Sequence, residues 1–194
     1  MSTLIHIDKE YAQWVKELSQ RYRKSQIKAA VKANSEVIAF YWSLGEDIVN
    51  RDAENKYGKG FFENLSTDLR NKLPGVSGLS PRNLRYTERF YQLYEPLIQN
   101  LKQVATEPTE NSSTKILQQL VAKSSKAYKI GILQQLVARL KTVPWGHHTV
   151  IINKSKKDPI KAYFYVCKTI ENNWSRDVLA NYIDSIYMSA PAKQ

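Results

Sequence analysis

One cysteine, a shortage of acids and the lack of any long apolar run set the outer limits of this 194-residue chain. A lone Cys167 can build neither a disulfide framework nor a thiolate metal cluster. In the apolar run Tyr163–Ile170 it reads as a small buried hydrophobe. No stretch approaches the roughly 18 apolar residues that cross a bilayer. Met1–Glu10 lacks the apolar centre of a secretory signal. The expectation is a cytoplasmic protein with no membrane partner. There is no G-x-x-x-x-G-K phosphate loop, and Gly58-Lys59-Gly60 is too short to be one. No Ser/His/Asp set is suggested. The adjacent His147 and His148 point different ways on a helix and have no Cys and few acids nearby to complete a metal site. The nearest approach to a metal-nuclease signature is Asp47 with Glu54-Asn55-Lys56. Those acids lie seven residues apart at a helix end and read as a solvated terminus. No metal, no cofactor and no catalytic residue is expected.

Acids number 18 against 29 Lys and Arg, which leaves a formal net charge of +11. Such an excess favours a polyanionic partner, nucleic acid before an anionic membrane surface. The excess is uneven. Ser112–Lys161 carries ten Lys/Arg and the single acid Asp158.

Helical periods dominate, and no hairpin pattern recurs, so the expected class is all-α over a single domain spanning 1–194. Tyr11, Trp14, Val15, Leu18 and Tyr22 mark a helix after an Asp8 cap. Val37, Tyr41, Leu44 and Ile48 mark the second part of one long broken helix or a hairpin partner, within a long helical region 8–52. Two helices, about 61–73 and 81–95, follow a glycine turn. Pro96 is expected to help end the second. A polar loop covers 105–114. ILQQLVA occurs at Ile116–Ala122 and again at Ile132–Ala138. Two copies are too few for a solenoid and fit a local duplication extending a helical hairpin. Residues 115–188 form a helical C-terminal part. In it His147–Lys154 reads as either a short strand or a buried helical turn. Asp158-Pro159 and Ser175 start the last two helices.

Region 57–95 is helix-turn-helix-like. Its second helix opens Ser80-Pro81, and Arg82, Arg85 and Arg89 fall within about 60° of one another at 100° per residue. Leu84, Phe90, Tyr91 and Tyr94 take the opposite side. Ser80, Arg82, Asn83 and Arg85 occupy the early positions from which a recognition helix reads bases, and Arg and Asn make bidentate contacts to guanine and adenine. The turn Leu73–Leu79 is longer than the usual three or four residues. The expected DNA-contacting set is Ser80, Arg82, Asn83, Arg85 and Arg89, with Lys154, Lys156 and Lys157 touching phosphate from a neighbouring loop. Duplex DNA is the first choice of partner, with single strands and RNA left open. The competing reading is a helical hairpin with a basic outer face, serving homo-oligomerisation or docking on a nuclease or methylase partner.

The segments YWSLGEDI, YGKGFFENLSTDL, PGVSGLSPRNLRYTERFY, VPWGHHTVIINK and FYVCKTIENNWSRDVLANYI run in order over about Tyr11–Ile186. Together they resemble the N-terminal domain of the YhcG-type nuclease family, also called domain of unknown function 1016. The resemblance implies an α-helical, winged-helix-like DNA-binding module that precedes a PD-(D/E)xK nuclease domain and is associated with restriction systems. The chain ends at Gln194, where that nuclease domain would begin, and no matching acid and Glu-x-Lys set follows Tyr57. The expectation is a fragment or a stand-alone relative that does not cut DNA itself. The first ILQQLVA copy departs from the family pattern.

Overall fold

The structure, a computed structural model, describes residues 9–106 and 126–189. Among them stand eight helices and no strand. The all-α expectation holds, and the β-hairpin wing that the resemblance implies is not seen among the described residues. The helices are α1 (Lys9–Asn50), α2 (Ala53–Tyr57), α3 (Phe61–Lys72), α4 (Pro81–Thr106), α5 (Lys126–Thr142), α6 (Trp145–Lys154), α7 (Pro159–Asn172) and α8 (Arg176–Ser189). The Asp8 cap, most of the polar loop and the first ILQQLVA copy lie outside the described residues.

The starts read from sequence are real caps. Asp158 accepts from the backbone N–H groups of Ile160 and Lys161, both at 3.0 Å, with Pro159 at the first helical position. Ser80 Oγ accepts from Asn83 N at 3.2 Å, and Ser175 Oγ from Val178 N at 3.3 Å. Each satisfies a backbone donor that the first turn leaves open. The ambiguous His147–Lys154 segment is helical and forms most of α6.

The two apolar stretches before Asp52 are one unbroken helix of 42 residues, neither a broken helix nor a hairpin. Only its C-terminal part is packed, through Ile38, Tyr41, Gly45 and Ile48. Pro96 does not end the second helix of the arginine segment; α4 runs through it to Thr106. Proline removes one backbone hydrogen bond and crowds the preceding turn. Here its ring is exposed, while Leu97, Ile98 and Leu101 beyond it are buried and carry the helix onward.

The reason α4 continues is its place in the core. It packs on α1, α3, α5, α6 and α7. A small cluster of Ile48, Ala53, Phe62, Leu79 and Leu84 closes one end. The larger cluster runs from Ile38 through Phe90, Tyr94 and Leu97 to Leu136, Ile151, Val166 and Leu179. Leu84 belongs to the first and Phe90 to the second, so α4 is the wall they share. At the crossing of α1 and α4 a Cβ on Gly45 would lie 2.2 Å from the Thr87 carbonyl oxygen. Only glycine allows that backbone approach.

His148 sits fully buried beside Phe90, with ring centroids 4.8 Å apart. Its Nε2 lies 2.9 Å from the Leu140 carbonyl, so that nitrogen carries the proton and donates, and Nδ1 has no partner. Burial drives its pKa down to about 4 against the pull of the Leu140 bond. The folded state keeps this ring neutral, whereas the unfolded chain protonates it near its ordinary value of 6.5. Stability from this group is therefore full above pH 6.5 and falls as pH drops toward 4, by about 3 kcal/mol. Urea denaturation at pH 7.5 and 4.5 should show this loss, and a His148→Gln variant should show a markedly shallower one. Equal pH dependence in both proteins would refute the assignment.

Candidate nucleic-acid interface

Two segments remote in sequence meet on one side of α4. Tyr86 of α4 and Asn153 of α6 are joined by hydrogen bonds: the phenol lies 3.1 Å from Asn153 Oδ1, and Asn153 Nδ2 lies 2.7 Å from the phenol oxygen. The Arg82 and Arg89 guanidiniums flank the Tyr86 ring at 5.8 and 5.9 Å from its centroid. Burial pushes the Tyr86 phenol up, but the Asn153 bond and the fields of Arg82 and Arg89 outweigh it and hold it below its ordinary value. Both arginines are exposed.

Beside this pair lies an open cleft of about 630 Å³. Arg89 lines it from α4, and Lys156 and Lys157 line it from the turn between α6 and α7. These lysines are in the left-handed region, with φ of 52° and 64°. For a side chain with a Cβ that conformation costs about 1–2 kcal/mol per residue. The turn is held by Ser155 N–H to the Ile151 carbonyl at 2.8 Å and Asp158 N–H to the Ser155 carbonyl at 3.1 Å. The cleft is not purely basic. Glu54 of α2 and Glu88 of α4 also line it. Burial raises the Glu88 carboxyl above its ordinary range, and the charge of Glu54 adds to that against Arg89 and Arg85.

The other expected contacts are drawn elsewhere. Arg85 reaches across to α3, with its Nη2 2.8 Å from Glu63 Oε1 and its guanidinium 4.9 Å from the centre of Phe62. The Arg85 guanidinium holds the Glu63 carboxyl below its usual range. Lys154 binds the Asp184 carboxylate and joins α6 to α8. Ser80 is the α4 cap. Asn83 is committed at both ends of its amide. Its Oδ1 accepts from Trp145 Nε1–H at 2.6 Å, and its Nδ2 donates to the Gly78 carbonyl. A reader of adenine needs both of those atoms for the base.

Three other sequence candidates also have structural partners. His147 Nε2 lies 2.9 Å from the Trp174 carbonyl. Cys167 is only half-buried, and its Sγ takes Arg139 Nη1 at 3.0 Å, so it is more than an inert hydrophobe. Asp47 lies 3.7 Å from Arg51 and is not one of the residues that line the cleft with Glu54. Among the described residues no group of three or more His, Cys, Asp or Glu could hold a metal ion. None of their helices is long and apolar enough to cross a membrane.

Sequence reading missed Tyr86, Asn153 and Glu88. Tyr86 had a usable signal, since it stands four residues after Arg82 and three before Arg89, where helix neighbours touch. Asn153 had none, because its segment was legible neither as strand nor as helix.

The Asn83 bonds give a test that separates support from binding. Asn83→Ala leaves the half-buried Trp145 N–H without its partner and takes one of two donors from the Gly78 carbonyl, which keeps the Tyr41 hydroxyl, and should cost about 1 kcal/mol of stability. Urea midpoints measure it. A loss under about 0.5 kcal/mol would show that Asn83 does not hold the fold.

A family model described as DUF1016 N-terminal domain matches residues 17–189. Searches of curated proteins and of solved structures find no match.

Proposed function

The chain belongs to the DUF1016 N-terminal domain family, and from that premise we propose that it is a DNA-binding module which engages duplex phosphates at the face where α4 meets the α6–α7 turn. The family is an N-terminal domain of unknown function and not a known catalytic domain. The observation that carries the reading is the convergence of Arg89 with Lys156 and Lys157 on one cleft, extended along α4 by Arg82 on the other side of Tyr86. Guanidiniums exposed beside an aromatic ring suit phosphate, because the fork donates in pairs while the ring holds its stem. The net charge of +11 supplies long-range attraction.

Ser80, Asn83, Arg85 and Lys154 leave the proposed contact set, since each has a partner within the fold. What remains favours backbone contact over base reading: Arg82, Arg89, Lys156 and Lys157. Phosphate contacts position a protein without selecting sequence. Sequence preference is therefore weak in this module. The reaction, if one follows on the same DNA, belongs to a nuclease domain or restriction-system partner and not to these residues.

Glu54 and Glu88 temper the attraction. With both ionised they repel phosphate, so the cleft binds more tightly as Glu88 takes a proton.

The test is titration of a labelled duplex against salt. Each lost phosphate contact should lower the slope of log K against log salt by about 0.9. Arg82→Ala with Arg89→Ala should lower it by about 2 and weaken binding at least tenfold near physiological salt. Lys156→Gly with Lys157→Gly should weaken binding similarly while leaving thermal stability equal or higher, because glycine relieves the left-handed backbone. Glu88→Gln should tighten binding a few-fold. Affinity and slope unchanged in both basic double variants would sink the proposal.

A further inference from the structure

The N-terminal part of α1 stands clear of the core. Every residue from 9 to 33 is exposed, and the first half-buried position is Asn34, whose Nδ2 lies 3.1 Å from the Lys141 carbonyl at the end of α5. That leaves an arm of about 25 residues, near 37 Å long. A lone helix of this length in water is marginal without packing on one face. Its large apolar residues do not look like solvent-facing choices: Trp14 is 53 % exposed, Val15 41 %, Leu18 40 % and Tyr22 65 %.

Of the exposed large apolar residues of the arm, Tyr11, Val15, Leu18 and Tyr22 fall on a 3.5-residue period, while Trp14, Ile27 and Val31 lie off it. Tyr11, Val15, Leu18, Tyr22, Ser25 and Ala29 are spaced four, three, four, three and four apart. That alternation is the seam of a left-handed coiled coil. No charged residue interrupts it between Tyr11 and Ala29. Lys16, Arg21, Arg23, Lys24 and Lys28 all lie off it.

We propose that this arm pairs with the same arm of a second copy to form a parallel two-stranded coiled coil. The occupant follows from the residues. Val15 and Tyr22 take one inner position of the repeat, and Leu18 shares the other with Tyr11 and Ser25; the single step from β-branched Val15 to Leu18 is the pairing that favours two strands. The flanking positions choose the direction. One flank carries Trp14, Arg21 and Lys28, and the other Ala12, Ser19 and Gln26. A parallel pair sets each flank against its opposite, so Arg21 faces a neutral Gln26 of the second copy. A fully overlapped antiparallel pair sets like flanks together and brings Arg21 against its own copy. Tyr11, Val15, Leu18 and Tyr22 are each 37–65 % exposed, so a pair would cover four large side chains from each copy.

The experiment is light scattering across concentration on the whole chain, with two variants. Wild-type protein should pass from monomer to dimer in the micromolar range. Leu18→Glu should weaken dimerisation at least hundredfold and leave the urea midpoint unchanged, because the site lies outside both core clusters. Leu18→Cys should give a disulfide-linked dimer under mild oxidation, since only a parallel pair sets this position against itself. A wild-type monomer at every concentration would overturn the proposal and point to cover by another part of the chain. A dimer indifferent to Leu18→Glu would also overturn it, and a dimer without the Leu18→Cys cross-link would overturn the parallel arrangement. Duplex affinity of the Leu18→Glu monomer is read separately, so failure here leaves the phosphate face untouched.

Discussion

The structure depends on one small polar junction. Asn83 accepts from the Trp145 indole and donates to the Gly78 carbonyl, while Tyr41 packs its ring on Trp145 with centroids 4.4 Å apart. The Tyr41 hydroxyl also donates to the Gly78 carbonyl, at 3.4 Å. One amide thus joins α1, the α3–α4 turn, α4 and α6. Gly78 has a φ of 90°, and a Cβ there would meet the Tyr41 oxygen at 2.3 Å. The indole N–H is half-buried, and its bond to Asn83 ties α6 to the first turns of α4. Because α6 is fixed, Asn153 comes to Tyr86, and the turn after α6 comes to Arg89.

The same geometry explains why a stripe of three arginines does not act as a stripe. Arg85 lies on the side of α4 nearer α3 and finds Glu63 and the Phe62 ring. Arg82 and Arg89 lie toward α6 and share Tyr86. A helical wheel gives direction but not neighbours, and the neighbours decide which charges are spent inside the protein. The cleft then mixes Glu54 and Glu88 with its cations, so it is not a purely basic groove.

Particular elements show how far a sequence carries. Asp158-Pro159, Ser175 and Ser80-Pro81 were legible as helix starts, because capping is a contact between residues two or three apart. The apolar face Leu84, Phe90, Tyr91 and Tyr94 was legible, because burial follows helical period; all four are buried. The passage of α4 through Pro96 was not legible. The cost of a proline is local, but what offsets it is the burial of Leu97, Ile98 and Leu101 among helices far away in the chain. The roles of Asn83 and Lys154 were equally hidden, since Trp145 and Asp184 are distant in sequence.

By itself, then, the sequence determined the all-helical class, most helix starts, the apolar faces, the basic balance and the family. All of these rest on interactions within about one helical turn, on composition or on ordered motifs. Tertiary structure alone decided that residues 9–50 are one helix with a bare N-terminal arm. It also decided which partners Asn83, Arg85 and Lys154 take within the chain, and that Arg89 shares a cleft with Lys156 and Lys157. Those outcomes depend on which side chains compete for the same partner, and that competition exists only once α4 has gathered the other helices around it.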